Sequence, residues 1–228
     1  RFAANAQDPQ VKMIELKLSQ GAKPGHGGVL PGPKVTPEIA EARGVPVGVD
    51  CVSPARHSAF STPRGLLEFV AELRQLSGGK PTGFKLAIGH PWEWFGIAKA
   101  MHETGLIPDF IVIDGGEGGT GAAPLVFSDH VALPFKLGFS AVYRNFAERN
   151  LQDRLVFIGS GKLGFPAQGL LALGLGCDLL NVAREALLAI GCIQAQQCHT
   201  GHCPTGIATQ SAWLVGGLDP TDKAARLA

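Results

Sequence analysis

Residues 110–121 read Phe-Ile-Val-Ile-Asp-Gly-Gly-Glu-Gly-Gly-Thr-Gly: an apolar run, then Asp114, then five glycines in seven positions. A short, continuous, β-branched run cut off by glycine predicts a strand buried on both faces, as in parallel sheets covered by helices. A carboxylate followed by bare main chain also suits a ligand site, because glycines let a planar group or a phosphate come close to backbone N–H groups.

On either side the same unit repeats. Strands are expected at Met13–Leu18, Val47–Val52, Gly83–Ile88, Phe110–Asp114, Leu155–Gly159 and Asp178–Val182. Helical patterns alternate with them. Thr62–Leu76 opens on the capping pair Ser61-Thr62 and carries Leu66, Leu67, Val70 and Leu73 on one stripe, and 93–103, 134–149, 164–175 and 184–190 follow. No antiparallel hairpin signal interrupts this rhythm, which predicts an α/β fold around a parallel sheet. A doubly wound dinucleotide fold would place G-x-G-x-x-G directly after its first strand, whereas Met13–Leu18 runs into Ser-Gln-Gly-Ala-Lys-Pro-Gly. The expectation is therefore a (β/α)8 TIM barrel, whose functional residues gather in the loops after the strands. With five or six strands in view, residues 1–228 are expected to form an incomplete portion of one barrel domain, its C-terminal five to six βα units plus a cysteine loop at 192–203, within a longer protein.

The loops after these strands hold the unusual residues. In 17–28, Lys17 and Lys23 sit among glycines, and either charge suits a carboxylate, a phosphate or a reduced flavin. Lys17 ends an apolar strand, where an idle lysine would be costly to bury. Lys85 lies inside Gly83-Phe-Lys-Leu-Ala-Ile88, so its charge calls for a partner: an anionic cofactor or a structural ion pair. Gly159-Ser160-Gly161-Lys162 and Ala183-Arg184 follow the last two strands, where barrel enzymes commonly bind phosphate.

Cys192, Cys198 and Cys203 form a C-x5-C-x4-C run closed by Pro204. Soft sulfur ligands select an iron–sulfur cluster, zinc or copper, and His199 and His202 could complete an irregular zinc set. An odd total of five cysteines argues against a disulfide framework, and Cys51 and Cys177 are expected to fill space.

A net charge of +1 with 17% charged residues suggests neither a nucleic-acid nor an anionic-membrane partner. No apolar run approaches the ~20 residues of a membrane span, and the first residues lack a signal pattern, so the expected location is cytoplasmic. Glycine, at 31 of 228, is about twice its usual ~7% share.

Three stretches, KLSQGAKPGHGGVLPGPKVTPEIAEARG, DGGEGGTGAAP and GCIQAQQCHTGHCPTGIATQ, resemble the FMN-binding synthase domain of the glutamate synthase large subunit, closest to the shorter, glutaminase-lacking glutamate synthase-like proteins. The resemblance implies a (β/α)8 barrel that binds FMN and a 3Fe-4S cluster, with Cys192, Cys198 and Cys203 matching the iron ligands. It implies that Lys17 and Arg43 hold 2-oxoglutarate and that Lys23, the second candidate catalytic lysine, lies near the flavin. Lys85, Asp114, Gly115, Ser160, Gly161, Ala183 and Arg184 match flavin ring and phosphate positions. The implied reaction reduces 2-iminoglutarate, formed from 2-oxoglutarate and ammonia or glutamine-derived nitrogen, to L-glutamate. Electrons would come from ferredoxin or an NAD(P)H-oxidising subunit.

The chain departs from the family pattern at Val29, where the full synthases carry Gln in GGQLPG, and at Gly159-Ser160-Gly161 and Ala183-Arg184, which stand for Asp-Gly-Gly and Gly-Thr. Two rival readings follow: another FMN barrel oxidoreductase, or a non-catalytic cluster-bearing electron-transfer protein that lost its substrate pocket.

Overall fold

The structure is a computed structural model and describes residues 1–119 and 123–228. Thr120 and Gly121, the end of the glycine-rich loop, lie outside the described residues. The strands are β1 (Ile14–Lys17), β2 (Val29–Leu30), β3 (Cys51–Val52), β4 (Thr82–Leu86), β5 (Phe110–Asp114), β6 (Val156–Ser160) and β7 (Leu179–Asn181). The chain divides into two units, one of Arg1–Pro24, Arg56–Gly119 and Leu125–Asn181, the other built mainly from Gly25–Ala55 and Val182–Ala228.

The first unit is an α/β layer structure. Five parallel strands run in the order β1-β4-β5-β6-β7, so β1 and β7 are the edges. β5 is buried along its whole length, as its unbroken apolar run predicts. Helices follow the strands: α3 (Pro63–Leu76), α4 (Pro91–Thr104), α5 (Phe135–Ala147) and α6 (Pro166–Gly174). α3 begins where the sequence signals it, with the Thr62 hydroxyl accepting the Gly65 N–H at 3.0 Å. Its stripe of Leu66, Leu67, Val70 and Leu73 is buried in the core. An aromatic layer lines α5. Phe139 is fully buried, with the rings of Phe135, Tyr143 and Phe157 5.3, 5.9 and 6.1 Å away, and burying one such ring stabilises the fold by about 1.5–3 kcal/mol.

Carboxylates close the N-terminal end of this sheet. Asp109 accepts the Thr82 N–H at 2.7 Å and the Arg74 Nε–H at 2.8 Å, and Asp178 accepts the Phe157 N–H at 2.8 Å. Strand N–H groups that would otherwise lack partners are thereby satisfied.

The second unit has little regular structure. It contains α2 (Pro37–Arg43), α7 (Arg184–Ala189), two further short helices and the antiparallel pair of β2 and β3, with Val29 opposite Val52. Here the expectation of a barrel strand over Val47–Val52 is corrected, since the strand that forms pairs antiparallel with β2 outside the parallel sheet. Gly48 takes a left-handed φ of 71° and breaks the extended run, and Val47 and Val49 are exposed, so only Cys51–Val52 remains a strand.

Candidate functional site at the strand ends and the cysteine loop

Register brings the C-terminal ends of the first unit's strands together. Lys17 pairs with Lys85, and Asp114 with Ser160. From this end of the sheet the loop after β1 is laced back onto its neighbours. The Leu18 N–H donates to the Lys85 carbonyl at 2.9 Å, the Ser19 hydroxyl accepts the Ala87 N–H at 2.8 Å, and the Gly21 N–H donates to the Asp114 carboxylate at 2.9 Å. Position 21 admits only glycine, since a Cβ there would lie 1.8 Å from the Gly115 carbonyl oxygen. The two glycine loops thus touch backbone to backbone.

Lys85 finds its partner inside the chain: its ammonium lies 3.4 Å from Asp114, with side chains 16% and 4% exposed. This is the structural ion pair, one of the two partners expected for it. At that burial the pair survives desolvation because Asp114 also accepts the Gly21 N–H.

Two sequence expectations change at this end. Lys17 is exposed on the edge strand and donates to Gln20 Oε1 at 3.1 Å, so no burial cost marks it out. The N–H groups of Gly115, Gly116 and Gly118 donate to the carbonyls of Ser160, Leu133 and Gly115, so they form no anion nest. Sequence reasoning missed Glu117, which accepts the Phe135 N–H at the start of α5, and the tie of Gly21 to Asp114, 93 positions away.

Beside these ties stand two further ammonium groups, those of Lys17 and Lys23. Burial, then the nearby charge of Lys17, holds the Lys23 ammonium below its ordinary pKa. Two ammonium groups that repel each other, on a loop tied through the Gly21 N–H to Asp114, fit an anionic flavin cofactor. Gly161 next to Ser160 adopts a φ of 138° and follows the last residue of β6. Lys17, Lys23, Lys85, Asp114, Gly115, Ser160 and Gly161 belong to the first unit, Arg43, Ala183 and Arg184 to the second. Arg43 is the exposed last residue of α2, and Arg184, half-buried, opens α7.

The second unit carries the three-cysteine run. Cys203 is buried. Desolvation pushes its thiol up, but the Thr205 hydroxyl and the N–H groups of Ala208, Thr205 and Ile207 outweigh it and leave the thiol below its ordinary value. Cys192 Sγ accepts the Gln194 N–H at 3.5 Å. Between Cys192 and Cys198, Gln194 and Gln196 hold left-handed φ values of 56° and 55°, conformations that cost a non-glycine residue about 1–3 kcal/mol each. Sulfurs supplied with N–H donors in a strained loop fit thiolate ligation of a cluster. Among the described residues no three His, Cys, Asp or Glu side chains meet as an ion site, so neither the three cysteines nor a mixed Cys/His set is drawn together around one ion there. Cys177, in the first unit, is the space-filler expected, its thiol pushed up to about 12 by burial and then by Asp178, while Cys51 is half-buried.

Comparison with known proteins bears on the whole chain. Residues 6–228 match a family described as the conserved region in glutamate synthase. A glutamate synthase large subunit-like protein, YerD, of Bacillus subtilis is 41% identical over 99% of this chain and 43% of its own length. An archaeal glutamate synthase (NADPH) of Methanocaldococcus jannaschii is 40% identical over 94% of this chain and 42% of its own, and a ferredoxin-dependent glutamate synthase of Pyropia yezoensis is 38% identical over 87% and 13%. The chain spans less than half the length of these relatives. With the family match covering residues 6–228, the chain belongs to the glutamate synthase family.

Proposed function

We propose that residues 1–228 are part of the (β/α)8 barrel of a cytoplasmic, FMN- and 3Fe-4S-dependent oxidoreductase of glutamate synthase type, in which 2-oxoglutarate and ammonium take up two electrons and two protons to give L-glutamate and water. The observation that carries this reading is the gathering of Lys17, Lys23, Lys85, Asp114 and Ser160 at one end of a parallel sheet, the end at which α/β folds bind ligands. Family membership supports it. When bound, FMN supplies the hydride, and the cluster supplies single electrons from an external donor, ferredoxin or an NAD(P)H-oxidising subunit.

The chain's own residues would do the following. The Lys85–Asp114 pair fixes the strand ends and, through the Gly21 N–H, the loop that carries Lys23. Lys23, its charge already disfavoured, gains most from an anion beside it. Lys17, exposed and held by Gln20, would turn to meet a carboxylate of the oxo-acid. Arg43 in the second unit is assigned the same task, one suited to a guanidinium fork. Ser160-Gly161, and Ala183-Arg184 in the second unit, are assigned to phosphate, with Cys192, Cys198 and Cys203 as the iron ligands. No helix among the described residues is long and apolar enough to cross a membrane.

A steady-state assay of the full-length protein with 2-oxoglutarate, ammonium and a reduced donor tests this function. Production of glutamate dependent on all three supports it. A protein with flavin and iron but no such turnover would be the electron-transfer rival, and a flavoprotein without iron another FMN barrel oxidoreductase.

A further inference from the structure

Lys34, in the second unit, has no role in the assignments above. It closes a 3-10 turn, Gly32–Lys34, that is anchored by Asp50 accepting the Gly32 N–H at 2.6 Å and by the buried Val35 that follows. From this fixed base its ammonium donates to the carbonyl oxygens of Cys198, at 2.5 Å, and Ala208, at 3.2 Å. These two carbonyls bracket Cys203. One belongs to an assigned iron ligand, and the other to a residue whose N–H helps hold the Cys203 sulfur. A second tie shapes the same stretch, the Thr209 hydroxyl donating to the Gly201 carbonyl. A lysine stem pays rotamer entropy to be held so, and its charge, half-buried, keeps much of its field.

We propose that Lys34 is a positioning residue for the cluster: it holds the Cys198–Ala208 segment in the conformation that presents both thiolates, and its fixed positive charge favours the reduced, more negative state. The inference rests on the reading of these cysteines as iron ligands. The local sequence gives no hint of it, since the partners are 164 and 174 positions away.

The test uses full-length protein purified without oxygen, comparing the unaltered protein, Lys34→Met and Lys34→Arg. Three readouts are taken: iron per chain, the midpoint potential of the cluster signal, and backbone hydrogen exchange over 198–208 after iron removal. Lys34→Met is expected to retain several-fold less iron, to titrate at a lower potential in the fraction that remains, and to exchange faster over 198–208, with FMN content unchanged. Lys34→Arg is expected to restore the potential and most of the iron. Unaltered iron, potential and exchange in Lys34→Met would overturn the proposal. Iron loss with an unchanged potential would overturn the electrostatic half and leave a scaffold. If the unaltered protein holds no iron, the cluster reading itself fails and takes this role with it.

Discussion

The strand-end site and the cysteine loop solve the problem of placing reactive groups in opposite ways. At the strand ends, Asp114, Lys85 and Ser160 are carried by a sheet whose core of Phe84, Ile111, Ile113, Phe139 and Phe157 is closed to solvent. In the second unit the buried apolar residues reduce to Val35, Ala40 and Cys203 among the described residues, and order comes from polar ties such as Lys34 to Cys198, against the strain of Gln194 and Gln196. One site is held by burial and would keep its shape empty. The other leans on hydrogen bonds worth about 0.5–1.5 kcal/mol each, so a bound cluster would supply a large share of its stability.

The sharpest way to break that contrast is to cut the core of the first unit. Phe139→Ala should cost about 3–5 kcal/mol in denaturant unfolding, and a loss near zero would mean the sheet is not what holds the strand ends. Next in size, Asp114→Asn strands a nearly buried Lys85 and should cost about 3 kcal/mol, with Lys85→Met added to it recovering part of the loss in a double-mutant cycle. If the two changes add independently, the ion pair does not organise the site. In the second unit, Arg43→Ala should weaken 2-oxoglutarate binding by roughly 1.5–3 kcal/mol, the range for hydrogen bonds to a charged group, measured by titration calorimetry. Unchanged affinity removes Arg43 from the substrate site.

The smallest effect separates the two units by pH. Cys177 ionises at about 12 when folded against 9.0 for an ordinary thiol, so the folded chain keeps a proton that the unfolded chain releases, and stability falls as pH rises above 9.0. The loss should reach about 1–2 kcal/mol by about pH 10 and be absent in Cys177→Ala. Cys203 is shifted the other way. Its contribution is present above the ordinary thiol value and is lost as pH falls through its lowered value, so the iron-free second unit should loosen toward lower pH while the first does not. Loosening of both units together would erase the distinction.

Legibility in the sequence follows the same divide. β4, β5 and β6 announce themselves because strands buried on both faces need near-continuous apolar runs, and α3 because one stripe faces the core. Val47–Val52 misled because its composition suits a strand while Gly48 turns the chain left-handed. Asp114 and Lys85 stand out as charges in apolar runs, but which partner each takes depends on register between strands, which no local pattern records. The cysteines stand out by their spacing as candidate ligands. The lysine that ties their loop is not, because a side chain bonded to distant carbonyls leaves no mark near either end.

The proposed function requires a flavin at the strand ends and thiolate-bound iron in the second unit. The most direct measurement is the metal and flavin content of full-length protein purified without oxygen, read together with its EPR spectrum after oxidation. The account predicts brown protein with flavin absorbance and the signal of an oxidised three-iron cluster, lost when Cys198 is changed to Ser. Colourless protein carrying stoichiometric zinc would contradict it.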